Sequence, residues 1–171
     1  MLKRFYPQKT AASTYEIDFE KLYADGKRGI IFDIDNTLVE HGADSDKRSE
    51  ELFAMLHKMG FKTCLLSNND EERVLRFNKN INTNYIYKAG KPLAKGYMKA
   101  AECMGLEISR VVFVGDQLFT DVYGANRLGM DNICVQPISP KEELKIVVKR
   151  GLEKIVFRSY NRYTKKKNKV K

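Results

Sequence analysis

The chain has 171 residues, of which 43% are hydrophobic and 31% are charged, and its formal net charge is +9. Such a length and composition are typical of one soluble domain that buries about 70% of its unfolded surface. They argue against a membrane-spanning protein, since no run approaches the ~20 apolar residues of a span, and against secretion, since no apolar segment follows the basic N-terminus.

The elements alternate along the chain between short β-branched runs and segments of helical period. Most of the predicted strands are apolar without polar alternation, as expected when both faces of a sheet are covered. This order predicts an α/β fold with a doubly wound, Rossmann-like parallel sheet and right-handed crossovers. The predicted strands are 29–33, 62–67, 84–87, 110–115 and 132–136, and the predicted helices between them are 46–59, 70–80, 92–104 and 118–128.

Reactive side chains fall where these strands end. Asp33 and Asp35 end the first strand, Ser67 ends the second, Lys91 lies just beyond the third, and Asp116 ends the fourth. Because ligands bind at the carboxyl ends of the strands in such sheets, we expect these four stretches to form one site.

The chemistry of these residues favours phosphoryl transfer. Three aspartates within ~5 Å would repel one another by roughly 3 kcal/mol per pair at an effective dielectric constant near 20. Mg²⁺ removes this repulsion, since it prefers carboxylate and phosphate oxygens. Asp33 can then attack phosphorus, and Asp35 can exchange protons with the leaving oxygen and with water if its pKa is raised.

Four motifs carry a resemblance to a known family. DIDNT at 33–37, Ser67, Lys91 in a Lys-Pro step and GDQLFTD at 115–121 resemble, in this order, the motifs of the haloacid dehalogenase (HAD) superfamily of aspartate-nucleophile phosphatases. The GDQLFTDVxGANRxG-like segment at 115–129 is similar to that of class III (IIIA) members of the YqeG family. Relatives in that branch include the mitochondrial-type phosphatidylglycerophosphate phosphatases.

The resemblance implies an HAD-like fold and Mg²⁺-dependent hydrolysis of a phosphomonoester. Asp33 would be the nucleophile and Asp35 the acid/base. The metal ligands would be the side chains of Asp33 and Asp116 and the backbone carbonyl of Asp35, while Ser67 and Lys91 would bind phosphate.

Further residues around these motifs are assigned to supporting positions. Asn36, through its backbone N–H, and Asn68 are predicted phosphate contacts, and Thr37 and Asp121 are predicted to support the site. Asp121 either reaches the metal or only orients the lysine. Lys95 is near enough in sequence to compete with Lys91 as the phosphate lysine.

The spacing of the motifs leaves no room for a large cap domain. From Asp35 to Ser67 there is space for one loop and one helix, and from Ser67 to Lys91 for one further helix and strand. An open site suits a phosphate on a bulky carrier such as a lipid, a nucleic acid or a protein. Alternatively, a second copy of the chain supplies the missing cap by covering the site, in which case the protein is a homo-oligomer.

The end of the chain carries the whole excess of positive charge. Residues 141–171 contain 12 Lys and Arg against 3 Asp and Glu, whereas residues 1–140 contain 19 of each. We expect an HAD-like domain over 1–140, including an N-terminal extension, and a basic amphipathic helix with a polybasic tail over 141–171. The apolar stripe of this helix consists of Leu144, Val147, Val148, Gly151, Leu152, Ile155 and Val156. Either this stripe docks on the sheet, or the helix binds an anionic membrane surface, or its lysines bind RNA.

The favoured prediction is a phosphatase that acts on phosphatidylglycerophosphate and lies in the cytoplasm, peripheral to the inner face of the membrane. One alternative is a phosphatase of soluble metabolites. Another is an RNA- or ribosome-associated binding protein with residual phosphatase activity. The three cysteines lack metal-ligand spacing and are expected to be buried thiols.

Overall fold

The computed structural model describes residues 2–139 and 144–168, and within its last helix the side chains are described from residue 151 to residue 165. Six parallel strands form one sheet in the order β1-β6-β5-β2-β3-β4. They are β1 (Lys9–Ala11), β2 (Gly29–Phe32), β3 (Lys62–Leu66), β4 (Asn84–Ile86), β5 (Val111–Gly115) and β6 (Asp131–Val135).

The predicted parallel sheet is confirmed, with one strand more than expected. Strand β1 was not predicted because its three residues, Lys-Thr-Ala, form no apolar run. It pairs with β6 at the edge of the sheet, where few apolar contacts are needed. The chain order reverses between β2 and β5, so the end of β2 lies at a switch point, where such sheets bind ligands.

The predicted helices occur in the expected order with small shifts at their ends, and one short helix before β2 had not been predicted. The segment predicted as one helix over 118–128 is a π-helical turn, Leu118–Val122, followed by a short α-helix. The α-helices are α1 (Phe19–Ala24), α2 (Lys47–Lys58), α3 (Glu71–Asn78), α4 (Ala94–Cys103), α5 (Tyr123–Arg127) and α6 (Leu144–Asn168), and three short 3-10 helices lie at Leu2–Phe5, Thr14–Glu16 and Ile108–Arg110.

Both faces of the sheet are covered, as the uninterrupted apolar strands indicated. Ile30 and Phe32 of β2 belong to the core cluster on one face, while Ile31 between them belongs to the cluster on the other. All three side chains are fully buried. Successive side chains of a strand point to opposite faces, so this packing fixes the register of β2 and the position of the loop that follows it. Only one helix lies between Asp35 and Ser67, and only α3 and β4 between Ser67 and Lys91, in agreement with the absence of a large cap.

The C-terminal helix α6 docks on the rest of the protein through a face that the sequence pattern did not predict. Val156 packs against Leu118 and Cys134, and Glu153 is buried beside it. Leu152 and Ile155, expected on the same apolar stripe, are 54% and 57% exposed. The residues of the predicted stripe before 151 and the last lysines of the tail lie outside the described side chains. No helix in the described ranges has both the length and the apolar character needed to cross a membrane.

The expectation of three buried thiols is wrong for one cysteine. Cys64 and Cys134 are buried, whereas Cys103, in the last turn of α4, is exposed. Its sulfur lies 3.7 Å from that of Cys64. The hydrogen bond between the two sulfurs lowers the pKa of Cys103 to about 7 and raises that of Cys64.

Cys103 is therefore expected to be alkylated by iodoacetamide much faster than the other two thiols, since the thiolate is the reactive form. In the native protein the modification should appear on Cys103, with half of the maximal rate near pH 7. Mass spectrometry of the labelled peptides measures this, and Cys103→Ser is the control. Equal labelling of all three cysteines in folded protein would contradict the arrangement.

Candidate active site

The first predicted motif forms a tight loop at the end of β2. Asp33 follows the strand directly, and its backbone N–H donates to the carbonyl of Val114 on β5 at 2.9 Å. Its side chain accepts from the N–H of Ile34 at 2.8 Å and is almost fully buried. The Asp33 carboxyl is thus held between the two central strands and not on a mobile loop.

Three carboxylates from separate parts of the chain meet beside this strand end. Asp33, Asp116 and Asp121 each bring one carboxylate oxygen to within 4.8 Å of the other two. Asp116 follows β5, and Asp121 belongs to the π-helical turn after it. Of the three aspartates expected to gather here, Asp33 and Asp116 do so, whereas the third place is taken by Asp121 and not by the side chain of Asp35.

Lys91 lies between two of these acids. Its ammonium group is 2.9 Å from Asp33 Oδ1 and 2.9 Å from Asp121 Oδ1. Asn68 fixes the backbone of Lys91, since its side chain accepts from the Lys91 N–H at 2.7 Å and donates to the Lys91 carbonyl at 3.2 Å. Lys95 is exposed on α4, so the geometry favours Lys91 for the lysine position.

The sequence left two roles open for Asp121, as a member of the metal site or as the partner of the lysine. Its carboxylate is placed for both. One of its oxygens binds Lys91, and the other accepts from the backbone N–H of Gln117 at 3.1 Å. A Cβ at Gly115 would collide with the Asp121 carboxylate, which explains the glycine in the Gly-Asp-Gln sequence. Asp121 therefore orients the lysine and also completes the acidic cluster.

The charges of this cluster fit a divalent cation. When all three carboxyl groups are ionised, the Lys91 ammonium balances one charge and two negative charges remain in a buried site. Burial raises the pKa of Asp33 to about 8, with Lys91 opposing and the two neighbouring aspartates adding to the rise. Burial by itself lowers the pKa of Lys91, but Asp121 and Asp33 raise it by a larger amount. The net shift is upward, so the ammonium form is favoured. A hard dication such as Mg²⁺ suits this set of oxygen donors.

Asp35 points away from the cluster toward helix α3. Its carboxylate binds the guanidinium of Arg73 at 2.9 Å and accepts from the N–H of Gly42 at 2.8 Å. Asn69 donates to its other oxygen, and His41 Nδ1 lies 4.0 Å away. Although burial raises the pKa of Asp35, these hydrogen bonds and the charge of Arg73 lower it more. The raised pKa that an acid/base requires is therefore not present in this arrangement.

Replacing Arg73 by Gln is expected to raise the pKa of Asp35, because the carboxylate loses a hydrogen bond and the positive charge beside it. The ionised Asp35 now stabilises the fold above its ordinary pKa, and this contribution is lost as the pH falls through the lowered value. A carboxyl ¹³C NMR titration of the Mg²⁺-free protein measures the change. The matched control is Arg110→Gln, since Arg110 is exposed directly before β5, at the end of the sheet opposite to Asp35. An unchanged Asp35 titration in Arg73→Gln would contradict the assigned contact.

The remaining predicted residues lie at the same edge of the sheet. Thr37 donates from its hydroxyl to Asp116 Oδ1 at 3.2 Å, a supporting contact of the kind expected. Ser67 is buried at the end of β3, and its hydroxyl accepts from the N–H of Asn69 at 3.1 Å. The Asn36 N–H donates to the Val39 carbonyl at 2.8 Å, which competes with the predicted phosphate contact. The phosphate-binding roles of Asn36, Ser67 and Asn68 stay predictions.

Two buried charged residues near the site had not been predicted. Arg73 is a helix residue whose Nε and Nη1 have no hydrogen-bond partner within the described part of the chain. Glu153 of α6 accepts from the backbone N–H of Leu118 at 2.6 Å. Nothing in the sequence distinguishes either residue from the solvent-facing charges of an ordinary amphipathic helix. Only the tertiary contact reveals them.

The comparisons with known proteins agree with this geometry. A family model described as haloacid dehalogenase-like hydrolase matches residues 43–129, a range that includes Ser67, Lys91 and Asp116. The chain is also 36% identical over 164 residues to the protein named Probable phosphatase YqeG of Bacillus subtilis (strain 168), and the match covers 95% of both chains. The chain belongs to the haloacid dehalogenase-like hydrolases. The predicted family and enzyme class are therefore confirmed.

More distant similarities place this HAD hydrolase among relatives of different length. It is 25% identical over 158 residues to a Chlamydomonas reinhardtii protein named Phosphatidylglycerophosphate phosphatase 1, chloroplastic, covering 86% of this chain and 59% of that protein. A solved structure of an HAD-superfamily hydrolase from Ehrlichia chaffeensis superposes with a TM-score of 0.53 at 18% identity, covering 64% of this chain and 91% of the other. At this identity, the similarity to the Ehrlichia chaffeensis structure concerns the fold alone.

Proposed function

We propose that this HAD hydrolase is a Mg²⁺-dependent phosphatase that transfers the phosphoryl group of a phosphomonoester to Asp33 and then to water. The observation that carries the proposal is the position of Asp33 at the end of a central strand. There its carboxylate touches the Lys91 ammonium and lies within the cluster formed with Asp116 and Asp121. A nucleophile, a cation for phosphoryl oxygens and a set of metal ligands are thus present together.

In the first half of the reaction, an oxygen of the ionised Asp33 carboxylate attacks phosphorus. A bond forms between that oxygen and phosphorus while the bond from phosphorus to the alcohol oxygen breaks. Lys91 offsets the negative charge on the phosphoryl oxygens, and Asp121 holds Lys91 in place. When bound by Asp33, Asp116, Asp121 and the Asp35 carbonyl, Mg²⁺ supplies further positive charge against the repulsion between nucleophile and phosphate.

Asp35 moves the protons of both half-reactions. It gives a proton to the leaving alcohol oxygen, and in the second half it takes one from the water that attacks the phosphorus of the aspartyl phosphate. That attack breaks the bond between Asp33 and phosphorus and releases inorganic phosphate. Because Arg73 favours the ionised form of Asp35, substrate binding has to separate this pair before the first proton transfer.

For the substrate we propose phosphatidylglycerophosphate. The name of the Chlamydomonas reinhardtii relative supports this choice, as does the outward side of α6. There the exposed Leu152 and Ile155 lie among basic residues of the same helix, an arrangement that suits the surface of an anionic membrane. The protein would then work in the cytoplasm at the inner face of the membrane.

Phosphate release from phosphatidylglycerophosphate in mixed micelles tests the proposal, with and without Mg²⁺. We expect turnover that EDTA abolishes and Mg²⁺ restores, at a rate well above that on soluble esters such as glycerol phosphate. Turnover of soluble esters, with none of the lipid, would indicate that the substrate is a soluble metabolite and not phosphatidylglycerophosphate. Absence of turnover on any ester would contradict the phosphatase itself.

Flotation with liposomes tests the membrane contact separately. The protein is expected to float with vesicles that contain anionic phosphatidylglycerol and not with vesicles of neutral phosphatidylcholine. In Leu152→Ser/Ile155→Ser this binding should weaken, since both side chains are exposed and their loss leaves the core intact. Binding that RNA displaces and that does not depend on these two residues would favour the nucleic-acid alternative instead.

A further inference from the structure

A cavity of about 380 Å³ lies between α6 and the carboxyl ends of β1 and β6. We infer that this α6 cavity binds the apolar part of the alcohol from which the phosphoryl group is removed. The inference rests on the proposed phosphatase function and adds to it the place in the fold that receives the apolar part of the leaving group and the helix that recognises it.

The position of the α6 cavity connects it to the reacting groups. Asp116, whose carboxylate belongs to the acidic cluster, is among the residues that line the cavity. Cys134, at the end of β6, lines the cavity as well, and its sulfur lies 3.8 Å from the Asp116 carbonyl. A phosphomonoester whose phosphate lies at the cluster can therefore extend its alcohol portion along the sheet edge into this space.

The walls of the α6 cavity are mainly apolar, and the buried acidic residues Glu153 and Asp116 are also among the residues that line it. Ala11, Val135, Pro137 and Phe157 give it aliphatic and aromatic surface. The exposed side chains of Lys154 and Asn161 stand at the edge. Its volume falls in the range of about 300–1,000 Å³ that is usual for small-ligand sites, and it far exceeds the space that a phosphate group needs. Apolar walls of this size suit a hydrocarbon chain better than a sugar or a nucleoside.

Helix α6 is fixed to the catalytic part of the protein, so its wall has a defined position. Glu153 accepts from the backbone N–H of Leu118, the first residue of the turn that carries Asp121. Tyr6 and Ser159 join their hydroxyls at 2.6 Å and tie the helix to the N-terminal segment. The same helix that lines the cavity is thus attached directly to the turn of the acidic cluster.

Alkyl phosphates of increasing length provide the test. For the wild type, kcat/KM is expected to rise from ethyl to octyl phosphate by up to about fourfold per buried methylene, the usual gain from removing such a group from water. In Ala12→Leu, which adds bulk to a residue lining the cavity, the rise should be lost while the rate on ethyl phosphate stays within about twofold. The matched control Ala54→Leu, on the exposed side of α2, should keep the rise.

A second variant approaches the cavity from α6. Phe157→Ala removes a wall, and the control Met55→Ala truncates an exposed apolar side chain of α2, away from the cavity. The preference for octyl phosphate should fall at least about tenfold in the first and stay unchanged in the second. Thermal melts confirm that each variant is folded. A flat series in the wild type, or an unaltered rise in both cavity variants, would overturn the inference.

Binding of octylphosphonate distinguishes failure of this inference from failure of the proposed function. The compound cannot be hydrolysed, so its affinity, measured by calorimetry, reports on binding without turnover, and the difference between variants reports on the cavity. If no ester is turned over, affinity that falls about tenfold in Ala12→Leu and not in Ala54→Leu still supports the cavity as a binding site. Equal affinity in the wild type and in both variants would overturn it whether or not the protein is a phosphatase.

Discussion

Replacing Asp33 by Asn is expected to lower kcat by at least about 10⁴-fold, because removal of a covalent nucleophile eliminates the reaction path and not one of several contacts. The amide of Asn is nearly isosteric with the carboxyl and keeps the hydrogen bond from the Ile34 N–H within reach. The fold should therefore persist. Steady-state phosphate release measures the loss, and the melting temperature checks the fold.

The control for this substitution is Asp25→Asn. Asp25 directly follows the last residue of α1, and its carboxylate is partly exposed and pairs only with Lys21 among the described side chains. Its replacement should leave kcat within about twofold, since exposed ion pairs contribute little. If Asp33→Asn kept more than a tenth of the wild-type rate, Asp33 would not be the nucleophile, whatever its neighbours.

The second large effect is expected for Lys91→Met. This change removes the cation that lies between Asp33 and Asp121 and leaves three buried carboxyl groups together. Breaking a buried ion pair from one side typically lowers the free energy of unfolding by about 3–5 kcal/mol, and we expect a loss of this size without Mg²⁺. Added Mg²⁺ should stabilise the variant more than the wild type, because the excess of negative charge is larger.

Activity should fall along with stability. A lost contact to a phosphoryl oxygen is expected to reduce kcat by about 10²–10³-fold, as removal of one donor to a developing negative charge usually does. Lys95→Met is the matched control, since Lys95 is exposed four residues further along the same segment. It should change neither property. A larger loss of activity in Lys95→Met than in Lys91→Met would exchange the roles of the two lysines.

The strand ends were the part of the site that the sequence predicted well. Asp33, Ser67 and Asp116 follow buried strands, and an apolar run bounded by a polar residue marks where such a strand stops. The carboxyl ends of parallel strands meet at one edge, so residues far apart in sequence could be placed together before their distances were known. The same logic placed Lys91 near Asp33.

The contacts made by helices could not be predicted in this way. Arg73 and Glu153 are charged residues in helices with other exposed charges, and their burial depends on which partner happens to lie opposite. Helical periodicity grouped Leu152 and Ile155 with Val156, yet only Val156 is buried, because Glu153 and Phe157 occupy the docked side. An apolar stripe about 100° wide on a helix does not show which edge of the stripe packs against the rest of the protein.

The carboxylate of Asp35 shows the same limit for electrostatics. The sequence predicts its place beside the nucleophile but not the arginine that approaches it from α3. The direction of its pKa shift depends on the Arg73 guanidinium, which belongs to α3, and on the N–H of Gly42, which lies in the loop before α2. Pairings of this kind depend on tertiary packing and cannot be predicted from the local sequence pattern.

Reductive trapping of the protein during turnover tests the central claim most directly. An aspartyl phosphate is reduced by borohydride to homoserine, so rapid addition of borohydride to protein turning over its substrate marks the residue that carried the phosphoryl group. Mass spectrometry of the peptides is expected to find homoserine at position 33, and only when substrate and Mg²⁺ are both present. Homoserine at Asp116 or Asp121, or aspartate unchanged at position 33 under conditions of full turnover, would contradict the account.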